Sequence, residues 1–488
     1  MKHLLLSSTK QIVKTVIYFM FGGLLALLTV FVLYLEKRPD LTIWHKAELD
    51  AEFTTKSRVS DFRQYLDLEE ELFQQLEERI YAKVAPEDQH YLNRFSHGSM
   101  SDPSRWPRNW NRTFELSRES PKAGILLLHG MSDSPYSLRS LGLSLHEAGA
   151  IVIGLRVPGH GTAPSGLVEM QWQDMAAAVN LAVNYLHTNS NGQPLYIIGY
   201  SNGSALAVHY ALSTLDDPQM PKPDGLVLIS PAIGVTPLAA FAVWQARLGH
   251  LLGLDKLAWN DIEVEYDPYK YNSFAVNAGD QIYRLTSEIQ NLIKKNTESG
   301  RLQQFPSMLA FQSVVDATVS ASALVTGLFA KLPASGHELV FFDINRINGA
   351  ARFFINDPKP YLDRMLYDEK LPYALTLVTN ENEESRKVNF LRKEAGTNVV
   401  DTAPLGMAWP QRIHSLAHVS LPFPEADPLY GANSSAENPG VHLGNVALQG
   451  ERGVLRVSAA AMLRLRWNPF YSYLEQRVLD FTGLTGHE

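Results

Sequence analysis

The chain has 488 residues, of which 45% are hydrophobic and 19% charged, and its formal net charge is -8. This is the composition of a globular protein rather than a disordered chain. The acidic balance disfavours a nucleic-acid partner, because a nucleic-acid-binding surface has to be basic. The lack of cysteine excludes disulfides, thiolate catalysis and cysteine-based zinc sites.

A charge-free run follows a short N-terminal tail, residues 1–14. The run covers residues 15–35, and at about 1.5 Å per residue a helix of this length reaches roughly 31 Å, enough to cross a bilayer core. A cleaved signal peptide is the alternative, but its apolar region is shorter and ends at small residues, whereas this run ends at Leu33, Tyr34 and Leu35. The run therefore predicts a single N-terminal transmembrane anchor.

The orientation of such an anchor depends on weaker signals. Lysine and arginine are equally frequent on the two sides of the run, so their count does not decide the orientation. A single apolar segment ahead of a large domain is typical of a signal anchor, which leaves the body outside the cytoplasm. Asn202-Gly203-Ser204 also matches a glycosylation sequon. A glycan there would cover the candidate site described below, so we expect a bacterial inner-membrane protein facing the periplasm.

The rest of the chain divides into two regions. Residues 36–110 are predicted to be a helical linker region, with helical spacing of apolar residues over 47–85 and an irregular connector over 96–110. From residue 111 to 488, apolar strand-like runs alternate with helical patterns. The strand-like runs are residues 123–128, 150–155, 195–199, 225–230, 307–313 and 338–343; the helical patterns are 137–148, 168–188, 203–214 and 318–331. This alternation predicts an α/β fold with a mostly parallel central sheet and helices on both faces.

Two long stretches interrupt the alternation. We interpret residues 232–305 as a cap insertion, whose apolar helical sequence covers 235–253, and residues 346–410 as a late insertion. Long insertions at the strand ends of α/β folds often form lids or substrate-binding caps. The apolar sequence in the first of them favours a substrate with an acyl chain.

A G-x-S-x-G motif, Gly199-Tyr200-Ser201-Asn202-Gly203, lies between a predicted strand and a helix-like run. Such a sharp turn strains the serine backbone and needs small residues two positions away on each side, which Gly199 and Gly203 provide. A serine hydroxyl becomes a useful nucleophile when a base removes its proton. The motif therefore predicts Ser201 as a nucleophile.

Nucleophilic attack on an acyl carbon also needs donors for the oxyanion. The backbone N–H of Asn202 follows the nucleophile and is one expected donor. The loop after the strand 123–128 begins with His129-Gly130, and the N–H of Met131 is the expected second donor. We interpret His129 as a structural residue of this loop rather than as the base.

Four segments together resemble a known family. They are HGMSDSPYS (129–137), RVPGHGT (156–162), GYSNG (199–203) and LVLISPA (226–232), and they resemble the monoacylglycerol lipase/serine aminopeptidase branch of the α/β-hydrolases over roughly residues 111–330. The resemblance implies the α/β-hydrolase fold, an oxyanion hole in the His-Gly loop, and a triad in the order Ser, Asp, His. It also implies hydrolysis of a carboxylic ester or, less often, an amide.

That order leaves a choice for the acid and for the base. Asp316 follows the strand 307–313 and matches the acid, with Asp343 as the alternative. The family's histidine usually comes soon after the next strand, but here an insertion intervenes. We expect His418 to be the base because it lies just past a short strand predicted in RIHSLA, with His414 and His442 as alternatives.

The sequence thus predicts a membrane-anchored serine hydrolase that cleaves carboxylic esters, with an acyl or lipid-like substrate. An amidase, a peptidase or an acyltransferase could use the same triad, and a catalytically silent, membrane-tethered binding domain is the non-enzymatic alternative. No cofactor and no metal is expected, because histidine spacing typical of a metal site is missing from the sequence. The expected partners are the ester substrate and the membrane; the oligomeric state stays open.

Overall fold

The computed structural model describes residues 2–234, 254–334, 336–347, 354–355, 357–434, 438–445 and 462–485, with the side chains of all but 2–13, 27–28 and 31. The apolar cap sequence 235–253 lies outside the described residues, as do residues 348–353 and 356 of the late insertion. The boundaries predicted for the cap, the late insertion and the linker region therefore stay predictions.

A ten-stranded sheet forms the centre of the molecule. The strands are β1 (Phe114–Leu116), β2 (Ala123–Leu128), β3 (Ala150–Leu155), β4 (Leu195–Tyr200), β5 (Gly225–Ile229), β6 (Trp259–Asp261), β7 (Phe274–Ala275), β8 (Ser307–Ser313), β9 (His337–Phe342), β10 (Ala374–Asn380), β11 (Lys387–Lys393) and β12 (Asp401–Ala408), of which β6 and β7 pair separately. The order in the sheet is β1-β3-β2-β4-β5-β8-β9-β10-β11-β12. The seven strands from β3 to β10 in this order are parallel. β1 is antiparallel at one edge, and β11 and β12 extend the sheet in antiparallel pairs to the other edge. The predicted mostly parallel sheet is confirmed.

Helices cover both faces of this sheet. The α-helices of the described residues are α1 (Lys2–Lys37), α2 (Ile43–Lys46), α3 (Phe62–Arg79), α4 (Arg139–Glu147), α5 (Gly166–Glu169), α6 (Trp172–Asn189), α7 (Asn202–Thr214), α8 (Val276–Glu298), α9 (Ala321–Gly327), α10 (Lys359–Leu366) and α11 (Tyr471–Phe481), of which α1 does not pack on the sheet. Along β2, Leu126 and Leu128 pack with α6, α7 and α8, whereas Ile125 and Leu127 pack with α4 and α11. Side chains of a strand alternate between the faces, so a wholly apolar strand supplies two cores.

The N-terminal prediction is not supported by the structure. Residues 15–35 lie within the helix α1, but no helix among the described residues combines the length and the apolarity needed to cross a membrane. The prediction depended on one charge-free run, and such a run is necessary for a transmembrane helix without being sufficient for one. The location at the bacterial inner membrane, with the body facing the periplasm, stays a prediction that no observation tests.

The region predicted as a helical linker packs onto the domain. Its main helix, α3, is shorter than the predicted helical stretch 47–85 and begins at Asp61, whose carboxylate caps the N–H of Gln64 at 3.0 Å. Phe62 and Tyr65 are buried and belong to the same core as α6. A stripe of large apolar residues on one face of α3 explains this docking, because those residues gain about 25 cal/mol for each Å² removed from water.

The late stretch 346–410 also contributes to the sheet. Its strands β10, β11 and β12 extend the sheet beyond β9, with β10 parallel to β9. The short strand predicted for RIHSLA is wrong, because residues 411–417 form turns and bends without a sheet partner. The segment is held instead by single contacts, among them the Ser313 hydroxyl donating to the Leu416 carbonyl at 2.9 Å.

Candidate active site

The turn between β4 and α7 holds Ser201 in a strained backbone conformation. Ser201 has φ 54° and ψ -114°, a region that residues with a side chain rarely adopt. A Cβ at Gly199 would lie 2.4 Å from the backbone of Gly203, and a Cβ at Gly203 would lie 2.0 Å from the carbonyl oxygen of Leu128. Only glycine therefore fits at both positions. Because the turn follows β4 directly, Ser201 lies at the carboxyl edge of the sheet.

Three side chains from distant parts of the chain form a hydrogen-bonded line at this edge. His418 Nε2 lies 3.0 Å from Ser201 Oγ, and His418 Nδ1 lies 2.8 Å from Asp316 Oδ2. All three are shielded from solvent: Ser201 and His418 are 9% and 5% exposed, and the carboxylate side chain is fully covered. Because the carboxylate accepts from Nδ1–H, Nε2 is left as an acceptor for the serine proton.

The loop after β8 fixes the carboxylate of Asp316. Its Oδ1 accepts from the N–H groups of Thr318 and Val319, at 2.8 and 3.0 Å, and its Oδ2 also accepts from the Gln312 side chain at 3.0 Å. A carboxylate held by several donors keeps its direction. This leaves Oδ2 oriented toward the imidazole of His418.

The alternatives from the sequence have other contacts. Asp343 is buried and forms an ion pair with Arg346, at 2.5 Å, while it accepts from the Thr379 hydroxyl. His414 packs against the ring of Phe354, and His442 Nε2 contacts the Gly431 carbonyl oxygen at 3.1 Å. The structure brings Asp316 and His418 to Ser201, and it places these alternatives elsewhere.

His129 connects the two loops that border the serine. Its Nε2 accepts from the N–H of Val157 at 3.0 Å, so Nδ1 carries the proton and donates to the Gly130 carbonyl oxygen at 2.9 Å. Burial lowers the pKa of His129 well below its usual range, which keeps the ring neutral. Both ring nitrogens are occupied, so the expectation of a structural role agrees with the contacts.

The two expected oxyanion donors come from the turn that carries Ser201 and from the loop after β2. Asn202 N–H opens helix α7, where the first N–H groups have no partner inside the helix. A Cβ at Gly130 would lie 3.2 Å from the Cβ of Ser201, so the loop that carries Met131 passes directly by the serine. In the described part of the chain, the N–H groups of Met131 and Asn202 have no protein acceptor, and both are free to bind an oxygen atom.

Behind this loop, a buried ion cluster joins the N-terminal region (residues 39–116) to the P-G-H-G turn (residues 158–161). The guanidinium of Arg156 is 0% exposed and binds both oxygens of Glu52, at 3.0 and 3.1 Å, and Glu69 at 3.0 Å. It also donates to the His160 carbonyl oxygen at 3.0 Å, and His160 Nε2 contacts the sulphur of Met131 at 3.3 Å. Glu52 and Glu69 are thus linked to the oxyanion loop in three steps: to Arg156, from Arg156 to His160, and from His160 to Met131.

A cavity of about 410 Å³ opens beside the serine. It is bordered by Tyr200 and Val419, the neighbours of Ser201 and His418 in the sequence. Polar and charged side chains account for much of its lining: Asp133, Asp261, Glu263, Tyr266, Lys270, Asn272, Tyr430, Arg464 and Arg466. Burial and the neighbouring Asp261 raise the pKa of Glu263. Lys270 is paired with Asp133 at 2.9 Å.

Known proteins share the central part of this architecture. The family model described as serine aminopeptidase, S33, matches residues 119–339. These matches support an α/β-hydrolase of the serine aminopeptidase and monoacylglycerol lipase branch. A thermostable monoacylglycerol lipase from Bacillus sp. (strain H-257) is 29% identical over 122 residues, which are 25% of this chain and 46% of that lipase. The chain thus spans about half the length of this curated relative.

Solved structures of α/β-hydrolases also match. A metagenome-derived lipolytic enzyme is 21% identical, with 54% of this chain and 97% of that enzyme covered and a TM-score of 0.38. A monoacylglycerol lipase from Paleococcus ferrophilus is 19% identical, with 48% and 89% covered and a TM-score of 0.36.

The α/β-hydrolase site contains residues that the sequence argument missed. Arg464 and Arg466 border the cavity, and Arg156 supports the oxyanion loop. The first two lie in LRLRW, where leucine and arginine alternate. In an extended segment such alternation places both arginines on one side, and this pattern was the signal available in the sequence.

Proposed function

We propose that this chain is a carboxylic ester hydrolase that works through an acyl-enzyme on Ser201. The observation that carries the proposal is the line of hydrogen bonds from Asp316 through His418 to Ser201, with Ser201 held at φ 54°. A serine that meets a neutral imidazole oriented by a carboxylate is the arrangement that activates a hydroxyl. The relatives described as monoacylglycerol lipases support the same reaction class.

The reaction then follows from the roles of these groups. His418 Nε2 takes the Ser201 proton as Oγ attacks the acyl carbon, and the resulting oxyanion binds the N–H groups of Met131 and Asn202. The imidazolium of His418 protonates the leaving alcohol, and Asp316 stabilises its charge. Water then attacks the acyl-enzyme with the same histidine as base, which releases the acid and restores the serine.

We infer an acyl ester of a small alcohol as the substrate class, of the monoacyl type. The support is the described relatives' chemistry and the size of the cavity beside the serine, which at about 410 Å³ can hold a small-molecule portion of a substrate. An amidase or peptidase activity on the same triad has no separate structural observation in its favour.

The test of this proposal is covalent labelling with a fluorophosphonate followed by hydrolysis assays. We expect the wild-type protein to be labelled at Ser201 and the folded Ser201→Ala variant to be unlabelled. Ser213→Ala is the matched control, because its hydroxyl lies on α7 and bonds the carbonyl oxygen of His209 at 2.8 Å. Labelling of Ser201→Ala at the wild-type rate would contradict the proposed nucleophile.

The same assays separate the enzyme classes. Esters of short and medium acyl chains, including monoacylglycerols, are compared with the amide of the same acyl group. We expect the ester to have the higher kcat/KM. An unlabelled, inactive wild-type protein would favour the binding-domain alternative, and a higher kcat/KM for the amide would favour the amidase.

A further inference from the structure

The side chain of Arg466 is partly exposed where it borders the cavity, and it has few hydrogen-bond partners in the protein. It is 15% exposed, and the carboxylate that pairs with it, Asp267, lies 3.8 Å away, beyond hydrogen-bond distance. Among the described residues, its one side-chain hydrogen bond goes to the Tyr266 hydroxyl at 3.4 Å. A guanidinium has five N–H donors, so most of those of Arg466 have no acceptor among the described residues.

The carboxylate of Asp267 is occupied by other donors. Both of its oxygens accept from the Tyr430 hydroxyl, each at 2.8 Å, and Oδ1 also accepts from the N–H of Tyr269 at 3.0 Å. Asp267 therefore places a negative charge near Arg466 but does not form the close, bidentate hydrogen bonds that a guanidinium prefers. The donors of Arg466 are left available to the cavity.

A second guanidinium lies two residues away and borders the same cavity. Arg464 is exposed and donates to the Thr318 hydroxyl at 2.7 Å, and the described residues include no carboxylate paired with it. Thr318 belongs to the loop that fixes Asp316. Burial raises the pKa of Tyr200, and the charge of Arg464 opposes that rise, so this charge acts next to the serine.

The third cation of the cavity differs from these two. Lys270 is paired with Asp133 at 2.9 Å, so its charge is already balanced. Asp261 and Glu263 also border the cavity, and the six charged side chains of the lining sum to zero. An anion bound here would therefore be held by bidentate hydrogen bonds from the arginines rather than by a net positive charge of the cavity.

Building on the proposed ester hydrolysis, we propose that Arg464 and Arg466 form a subsite for an anionic group of the substrate, a carboxylate or a phosphate. The ester bond would lie at Ser201 while the anion lies in the cavity. The acids Asp261 and Glu263 can accept hydrogen bonds from hydroxyl groups, which suits a polar portion of the substrate better than a long acyl chain.

Matched ester pairs test this subsite and distinguish the two sources of the anion. On the acyl side, 4-nitrophenyl hemiglutarate is compared with 4-nitrophenyl pentanoate, which has the same chain length without the carboxylate. On the alcohol side, 1-butyrylglycerol 3-phosphate is compared with 1-butyrylglycerol. We expect one anionic ester to exceed its neutral partner about tenfold in kcat/KM at low salt, with a smaller ratio at high salt.

Variants locate the effect. Arg464→Gln and Arg466→Gln should each lower the anionic-to-neutral ratio of kcat/KM values for the preferred pair towards one. Arg466→Lys keeps the positive charge but not the bidentate donors of the guanidinium, and it should lower this ratio less than Arg466→Gln does. Arg284→Gln is the control, because Arg284 lies half exposed on α8 and pairs with Asp280 on the same helix; it should leave the ratio unchanged.

If the Arg466 variants do not fold, Arg464→Gln alone decides the test, because Arg464 is exposed. Ratios near one for both pairs in an active wild-type enzyme would overturn the subsite and leave the proposed function standing. Equal losses on both members of a pair in Arg464→Gln would also overturn it. A protein that hydrolyses no ester and is not labelled at Ser201 would overturn the proposed function itself.

Discussion

The N-terminal region, residues 39–116, and the C-terminal segment, residues 410–485, both lie outside the range matched by the family model, and both reach the carboxyl edge of the sheet. The first brings Glu52 and Glu69, whose carboxylates bind the buried Arg156 at 3.0–3.1 Å. The second brings His418 to Ser201 and exposes Arg464 to the cavity.

The difference lies in which polar groups have their partners inside the protein. In the N-terminal region the two acids that bind Arg156 have their partner inside the protein, so we expect this region to stabilise the fold around the oxyanion loop. In the C-terminal segment some polar groups are left for a substrate, so we expect it to control reactivity and specificity. Variants of the two regions should therefore separate stability from activity.

The largest effect is expected in the C-terminal segment, at His418. Replacing His418 by Ala removes the group that takes the Ser201 proton, and kcat should fall about 10³-fold or more. His414→Ala and His442→Ala are the controls, since these side chains contact Phe354 and the Gly431 carbonyl oxygen instead. The assay is steady-state hydrolysis of a short activated ester, with circular dichroism as the check on folding.

This comparison can fail in one clear way. If His442→Ala is inactive while folded His418→Ala keeps wild-type kcat, the catalytic assignment of the C-terminal segment is wrong. Loss of structure in His418→Ala would instead place this residue with the stabilising groups of the N-terminal region.

The second effect concerns stability, at Glu69. Its carboxylate is 4% exposed, binds Arg156 Nε, and accepts from the N–H and hydroxyl of Thr113 at 2.8 and 2.7 Å. Glu69→Gln leaves the buried guanidinium with one carboxylate and turns an acceptor into a donor. We expect the free energy of unfolding to fall by about 3 kcal/mol.

Its neighbour Glu70 is the matched control. Glu70 pairs with Arg112 but its side chain is 57% exposed, so Glu70→Gln should cost less than about 1 kcal/mol. Denaturant unfolding of both variants measures the difference. Equal losses would mean that the buried cluster around Arg156 is not what stabilises this region.

How far the sequence predicts this molecule depends on the range of the contacts involved. Continuous apolar runs predicted the parallel strands, and glycine spacing predicted the turn at Ser201, because both signals are local. His418 was chosen from its position in the chain, although the strand argument attached to it was wrong. The pairing of Arg156 with Glu52 joins residues about a hundred positions apart, and no local sequence pattern predicts it.

The third effect is a pH dependence of stability that comes from His160. Burial lowers the pKa of His160 to about 4 from an ordinary value of 6.5. Between these values the unfolded chain binds a proton that the folded chain does not, so His160 makes stability fall as the pH falls from 6.5 towards 4. The slope is about 1.4 kcal/mol per pH unit at most.

The measurement is the free energy of unfolding from pH 7 to pH 4.5 for the wild type and for His160→Gln. The wild type should lose more stability than the variant over this range. His90→Gln, at an exposed histidine, is the control and should follow the wild type. If the free energy of unfolding has the same pH dependence in the wild type and in His160→Gln, burial does not keep His160 neutral.

The smallest effect is expected at Tyr65, whose hydroxyl adds one further contact between the N-terminal region and Arg156. Tyr65 is 1% exposed and donates to the Arg156 carbonyl oxygen at 2.5 Å. Tyr65→Phe keeps the ring in the core but leaves a buried carbonyl oxygen without this donor, which should cost about 1 kcal/mol in the free energy of unfolding. Tyr185→Phe is the control, because its longer bonds to Glu115, at 3.2 and 3.4 Å, are only partly buried.

Ester specificity should stay constant in both variants, since neither hydroxyl borders the cavity. A Tyr65→Phe protein of unchanged stability but altered preference between anionic and neutral esters would mean that the N-terminal region also controls specificity.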